Sequence, residues 1–289
     1  MKNRFWKGHA LGNDYLAVDP RELEFRLTPR RVQALCDRQR GVGGDGVLEL
    51  IASRRADFGL RIWNPDGSRA EKSGNGLRIF ARFLHATGRT RRTRLSVETA
   101  GGIVAIRLFP GRDGVPRRAR VEIGRASFDP RRLPCRLRGG ELLERPIRAA
   151  GRALRFTGVS VGNPHCVVFA SRGRRWTRAD LLELGPLLER HPIFPKRCNV
   201  QLAARTGPHA LEILIWERGA GETAASGTSA CAAACAAIRL GRAASPVVVR
   251  APGGALRVAV SEAFDVTLEG AVDEVASGVL AASFVRALR

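Results

Sequence analysis

The sequence predicts an α+β fold made of two similar halves, and three observations predict it. Alternating apolar segments far outnumber helical ones, and the two kinds do not follow a strict strand–helix–strand rhythm. Hydrophobic residues form 44% of the 289 residues, enough for one large core or two of ordinary size. One strand–loop–helix passage also occurs twice, around Ser73 and around Ser226.

In chain order, period-two alternation marks strands at Tyr15–Val18, Gly46–Ile51, Phe58–Trp63, Leu95–Glu98, Ile103–Phe109 and Arg120–Ile123. It continues at Leu154–Val161, Cys166–Phe169, Asn199–Ala203 and Leu211–Trp216, then at Val247–Val249, Leu256–Val260 and Phe264–Leu268. Helical period governs four stretches: Pro29–Asp37, Gly74–Ala86, Arg178–Glu189 and Gly227–Leu240. The repeated passage reads ADFGLRIWNPDGSRAEKSGNGLRIFARFLHATG and then HALEILIWERGAGETAASGTSACAAACAAIRLG. Each copy has a strand ending Ile-Trp, a polar loop, Ser-Gly, and a helix closed by Gly88 or Gly241. The matching serines lie 153 positions apart, so two domains of like fold are expected, with the boundary near Pro110–Pro116 or Asp129–Pro134.

Composition narrows the function classes. No apolar run approaches the ~20 residues of a membrane-spanning helix, and the N-terminal stretch lacks the apolar core of a signal peptide, so a cytoplasmic protein is expected. The net charge of +22 would attract polyanions. However, only four of the 49 basic residues are Lys, and the Arg are spread along the whole chain. No zinc-finger, helix-turn-helix or aromatic RNA-binding motif accompanies them, so specific nucleic-acid binding is not expected. The six cysteines form no CxxC pair, and the five histidines have no HExxH spacing, so no metal site is expected.

The chemistry-bearing residues cluster at loops. Ser73-Gly74-Asn75-Gly76 and Ser226-Gly227-Thr228-Ser229 each put a hydroxyl and a glycine at a helix start. Unbonded N–H groups and the helix dipole make such a start a site for a carboxylate. Taken singly, each serine reads as an ordinary N-cap; their duplication suggests a shared site. Further polar clusters separate apolar strands: Gly12-Asn13-Asp14, Gly43-Gly44-Asp45-Gly46, Asn64-Pro65-Asp66-Gly67, Gly162-Asn163-Pro164-His165, Arg197-Cys198-Asn199 and Glu217-Arg218-Gly219. Alone, each is common turn chemistry.

The blocks KGHALGNDYLAVD, DRQRGVGGDGVLEL, IWNPDGSRAEKSGNGLRIFARFL, VSVGNPHCVVF, RCNVQL and WERGAGETAASGTSACAA resemble, in order, the signatures of the diaminopimelate epimerase family. They cover residues 7 to about 237. The resemblance implies two pseudo-symmetric α+β domains, each a mixed β-sheet wrapped around a central helix, with a ligand cleft between them. It divides the chain into residues 1–124, completed by 276–289, and residues 125–275. It also implies an isomerase that racemises or epimerises a free amino acid without pyridoxal phosphate or any other cofactor. The default reaction is LL- to meso-diaminopimelate, a precursor of lysine and peptidoglycan. In the family two cysteines face opposite sides of the substrate α-carbon, one removing its proton and the other donating. Their positions match Ser73 and Ser226. The ligand-holding positions match Asn13, Asn64, Gly74, Asn75, Asn163, Asn199, Glu217, Arg218, Gly227 and Thr228. The helix starts would hold the α-carboxylate; the Asn side chains, Glu217 and Arg218 would hold the distal group. His165 and Glu217 match the polar neighbours that assist proton movement. Family members often pair, so a homodimer is an expectation by the same resemblance.

The serine pair leaves the mechanism open. A thiol titrates near ~8.5, and an alcohol is on the order of five pH units weaker as an acid. At about 1.4 kcal/mol per unit this adds roughly 7 kcal/mol, or about five decades in rate. Three readings stay open: an epimerase using the serines or His165 and Glu217, a different isomerase or dehydratase on an amino-acid-like substrate, and a silent amino-acid-binding paralogue. Serines introduced deliberately to trap a substrate are a fourth source of the pattern, decided by comparison with the source gene.

Overall fold

A computed structural model describes residues 2–288. The strands are β1 (Arg4–Ala10), β2 (Asn13–Val18), β3 (Val47–Ile51), β4 (Phe58–Trp63), β5 (Arg69–Ala70), β6 (Arg94–Thr99), β7 (Gly102–Pro110) and β8 (Pro116–Arg125). They continue as β9 (Arg145–Ala149), β10 (Arg152–Ser160), β11 (Pro164–Phe169), β12 (Asn199–Gly207), β13 (Ala210–Glu217) and β14 (Gly221–Thr223). The last four are β15 (Val247–Ala251), β16 (Gly254–Val260), β17 (Asp265–Ala271) and β18 (Asp273–Val279). The helices are α1 (Pro29–Cys36), α2 (Gly74–Ala86), α3 (Arg178–Glu189), α4 (Gly227–Arg239) and α5 (Ala282–Ala287).

The chain divides into two compact units, Met1–Glu122 with Gly270–Arg289, and Ile123–Glu269. The first contains the strand order β18-β1-β2-β3-β4-β6-β7-β8. Its successive pairings run antiparallel, antiparallel, parallel, antiparallel, parallel, antiparallel, antiparallel. The second has the order β9-β10-β11-β12-β13-β15-β16-β17 with the same succession of senses. Short strands match as well: β5 hangs on β4 and β14 hangs on β13. The repeat seen at two serines therefore extends over whole sheets. In the first unit the C-terminal β18 takes the place that β9 holds in the second.

Parallel neighbours need a crossover rather than a tight turn. In the first unit α1 carries the β2–β3 crossover and α2 the β4–β6 crossover. In the second, α3 and α4 do the same for β11–β12 and β13–β15. Helix α2 packs on β1, β2, β7 and β18, and α4 packs on β10, β11, β12, β13, β15 and β16. Each is the central helix of its unit.

The two central helices fill their sheets differently. Helix α2 buries Leu77, Ile79, Phe80, Phe83 and Leu84. Each such side chain contributes about 1.5–3 kcal/mol on removal from water. Helix α4 is small-residued, and Ala230, Cys231, Ala232, Ala233, Ala234, Cys235, Ala236 and Ala237 are all buried. Both helices stop at a glycine in the left-handed region, Gly88 at φ 70° and Gly241 at φ 65°, where a side chain would strain the backbone. No helix among the described residues is long and apolar enough to cross a membrane.

The four helical stretches expected from periodicity are present, within a residue or two at their ends. Strands β1, β5, β9, β14 and β18 and the short α5 had no alternation strong enough to mark them. The Pro110–Pro116 stretch is the turn joining β7 to β8, with Pro110 opposite Pro116.

Candidate active site

Each unit gathers candidate site residues at the start of its central helix. Ser73 is the N-cap of α2 at φ −142° and ψ 118°, and Ser226 is the N-cap of α4 at φ −143° and ψ 124°. The first N–H groups of an α-helix have no carbonyl in an earlier turn, so both starts offer donors to an anion. The two differ in one bond. Ser73 Oγ accepts from the Gly76 amide at 3.0 Å. The Ser226 hydroxyl makes no capping bond, although the residue is only 6% exposed.

In the first unit Asn13, from the β1–β2 turn, reaches the helix start. Asn75 Nδ2 donates to Asn13 Oδ1 at 3.1 Å, and Asn13 Nδ2 donates to Asp45 Oδ2 at 2.8 Å. Arg78, fully buried one turn along α2, donates to Asn75 Oδ1 at 2.8 Å. Arg38 grips Asp45 at 2.8 Å and Asp14 at 2.6 Å, and Lys7 lies 3.0 Å from Asp14. Burial pushes the Asp14 carboxyl up, but Arg38 and Lys7 outweigh it and hold it below the ordinary value. Asn64 is engaged in its own β4–β5 turn, donating to Ser68 Oγ at 2.9 Å. Ser73, Gly74, Asn75 and Asn13 are thus brought together, while Asn64 Nδ2 bonds within its own turn.

The second unit repeats the arrangement. Gly12-Asn13 and Gly162-Asn163 occupy matching turns, β1–β2 and β10–β11. Asn163 Nδ2 reaches Thr228 Oγ1 at 3.5 Å, the counterpart of the Asn13–Asn75 pair. Asn163 Oδ1 lies 2.8 Å from His165 Nε2. His165 is fully buried, and burial, helped by the Arg218 charge and opposed by Gln201, pushes it down to about 3. The ring is therefore neutral near pH 7, and with the amide oriented in this way Nε2 carries the proton that Asn163 accepts. Asn199 donates to the Pro164 carbonyl at 3.0 Å and accepts from the Arg218 amide at 3.0 Å. Glu217 ends β13 opposite Gly221, half-buried beside Arg218.

No thiol stands at either helix start. Cys231, nearest to one of them, is fully buried within α4. Burial pushes Cys36 up to about 12 and places Cys198 and Cys235 well above the ordinary thiol value. Any acid–base chemistry at these positions falls to hydroxyls and their neighbours.

Residues 5–128 and 157–274 match the family described as diaminopimelate epimerase. The chain belongs to the diaminopimelate epimerase family. Diaminopimelate epimerase 2 of Nostoc sp. is 40% identical over 278 residues, spanning 96% of this chain and 95% of that protein. The diaminopimelate epimerase of Leptospira biflexa is 36% identical over 279 residues, spanning 96% of this chain and 99% of that one. Among solved structures, a probable proline racemase from Agrobacterium radiobacter aligns with a TM-score of 0.71 at 16% identity, over 96% of this chain and 93% of that one. A hydroxyproline epimerase from Agrobacterium vitis aligns at 0.69 and 17% identity, over 95% and 91% of the two chains. At such identity the two structures speak to the fold alone, and they agree with a mixed-sheet, two-unit architecture.

Membership of the diaminopimelate epimerase family makes the chain an isomerase by descent. In the sequence Asp45 reads as turn chemistry, and no motif marks Arg38, Arg78 or Gln201. The Gly43-Gly44-Asp45-Gly46 run was the available signal for Asp45, because its glycines let the loop approach the β1–β2 turn. A buried arginine on a helix face carries no comparable mark.

Proposed function

We propose that this chain acts on the α-carbon of diaminopimelate, interconverting its LL and meso forms, through the residues at its two helix starts. The observation that carries the reading is the matched pair of helix starts, each with a serine N-cap and a turn asparagine bonded to the second helical residue. Identity of 36–40% with diaminopimelate epimerases over nearly the whole chain supports the substrate class.

In this reading the helix-start amides at Gly74, Asn75, Gly227 and Thr228 take the α-carboxylate, a favourable place for negative charge. Asn64, Asn163, Asn199, Glu217 and Arg218 hold the distal amino-acid group. Ser73 and Ser226 occupy the positions at which the family resemblance places the proton-removing and proton-donating cysteines. His165, neutral and buried, orients Asn163 beside Ser226 rather than storing a proton at neutral pH. A cytoplasmic location and a homodimer belong to the same reading, and sedimentation of the purified chain decides the second.

The test is incubation with LL-diaminopimelate in deuterated water, followed by mass spectrometry of the recovered amino acid. Incorporation of one α-deuterium with formation of the meso isomer is expected, at a rate reduced by the alcohols. A second reading, binding without turnover, is favoured by the absence of a thiol at both helix starts. Calorimetric binding with no deuterium gained would select it, and loss of water would point instead to a dehydratase.

A further inference from the structure

Asn13 and Asn75 form the middle of a four-residue hydrogen-bond chain whose two ends are charged. It runs from Arg78 to Asn75 (2.8 Å), from Asn75 to Asn13 (3.1 Å), and from Asn13 to Asp45 (2.8 Å). A primary amide can donate or accept, so two linked amides could in principle point either way along the chain. The ends cannot. A guanidinium only donates, and a carboxylate only accepts. Turning both amides around would set Asn75 Nδ2 against the Arg78 guanidinium and Asn13 Oδ1 against the Asp45 carboxylate. Two donors would then face each other at one end and two acceptors at the other.

We infer that Asp45 and Arg78 are positioning residues that dictate which way the Asn13 and Asn75 amides face the substrate. The inference rests on the proposed function for its substrate. With the sense fixed, each amide has one N–H and one carbonyl lone pair left to offer, at defined places beside the Ser73 helix start. Asp45 is held in turn. Its second oxygen accepts from Arg38 at 2.8 Å, its Oδ2 also accepts from the Asp14 amide at 3.2 Å, and its own amide donates to the Asp14 carbonyl at 2.7 Å. Arg78 lies inside a packed helix face with no exposure, so it cannot swing away. The loop supplies the negative end, the helix supplies the positive end, and the direction of the chain follows.

The variant Asp45→Asn tests this, because it keeps the shape and makes the end residue able to donate as well as accept. Its side chain is 40% exposed in the parent, so the substitution is compatible with folding. Two readouts are taken on the full chain: calorimetric affinity for diaminopimelate, and the side-chain amide ¹H–¹⁵N resonances of Asn13 and Asn75. The expected result is an affinity about tenfold weaker, the scale of one charge-assisted hydrogen bond. The resonances of both asparagines should shift together, although Asn75 does not touch Asp45. Overturning results are an unchanged affinity, or Asn13 resonances that move while those of Asn75 stay. If the parent chain itself binds no diaminopimelate, the substrate proposal fails. The resonance pair then decides the positioning claim alone.

Discussion

The Ser73 hydroxyl accepts the Gly76 amide at 3.0 Å, a bond without a counterpart at Ser226 although the two serines share backbone angles to within a few degrees. The same residue at the same place in two like units therefore has two different duties. An N-cap side chain contributes about 0.5–2 kcal/mol to its helix. Ser73→Ala should cost about 1 kcal/mol, and Ser226→Ala well under that. Urea denaturation of the two variants measures the difference, and equal losses would contradict it.

Thiols at both positions should raise turnover steeply. The combined change Ser73→Cys and Ser226→Cys replaces two very weak acids with groups that titrate near ~8.5, and lower at a helix start. If the serines are the acid–base pair, α-deuterium incorporation from LL-diaminopimelate should rise by up to about five decades. Either single change should give far less, because one group must remove the proton while another donates one. A double variant no faster than the parent would remove the two hydroxyls from the chemistry.

His165 should make the second unit acid-sensitive before its carboxylates do. Its folded value of about 3 lies below the ordinary ~6.5 of an unfolded histidine. The unfolded chain therefore binds a proton that the native one refuses, so stability falls as pH drops from about 6.5 toward 3. The slope should approach ~1.4 kcal/mol per pH unit within that window. Burial also lowers His85 and His191, so the comparison is with His165→Gln, whose curve between pH 6.5 and 4.5 should be flatter. Parallel curves would show that His165 titrates normally.

Gly46→Ala should unsettle the Asp45 loop. A Cβ at Gly46 would sit 2.2 Å from the Trp63 carbonyl oxygen and 2.7 Å from the Tyr15 ring. Backbone and a buried ring cannot both retreat, and such overpacking costs about 1–3 kcal/mol. The thermal midpoint should fall by several degrees, and affinity for diaminopimelate should fall with it because Asp45 anchors Asn13. A midpoint equal to the parent's would mean that the loop has slack.

The parts of the fold legible in the sequence were those with local periodicity. Helix α2 could be read to its ends because Ser73 starts it, apolar residues follow the 3.6 period, and Gly88 stops it. Strand β1 could not, because its buried positions are Trp6, Gly8 and Ala10, which do not look like an apolar row. Gly8 falls on the buried face by alternation, and the Trp6 ring lies where its side chain would project. Strand β18 was hidden for another reason: Val275 and Val279 are exposed, and its partner β1 lies at the far end of the chain. The site was legible as asparagines and serines at turns. What joins them was not, since Asp45 and Arg78 lie 33 positions apart and meet only once the sheet has formed.

The small-residued α4 has a consequence for how the halves can be exchanged. A chimera carrying the α2 sequence in its place would have to seat Phe80 and Phe83 where methyl groups now touch the strands, at about 1–3 kcal/mol for each ring. The reverse chimera would leave voids of aromatic size around a slender axle, at about 3–5 kcal/mol each. The two frames share a plan but not a bore. Any remodelling that swaps their spindles must therefore refit the surrounding strands in the same step.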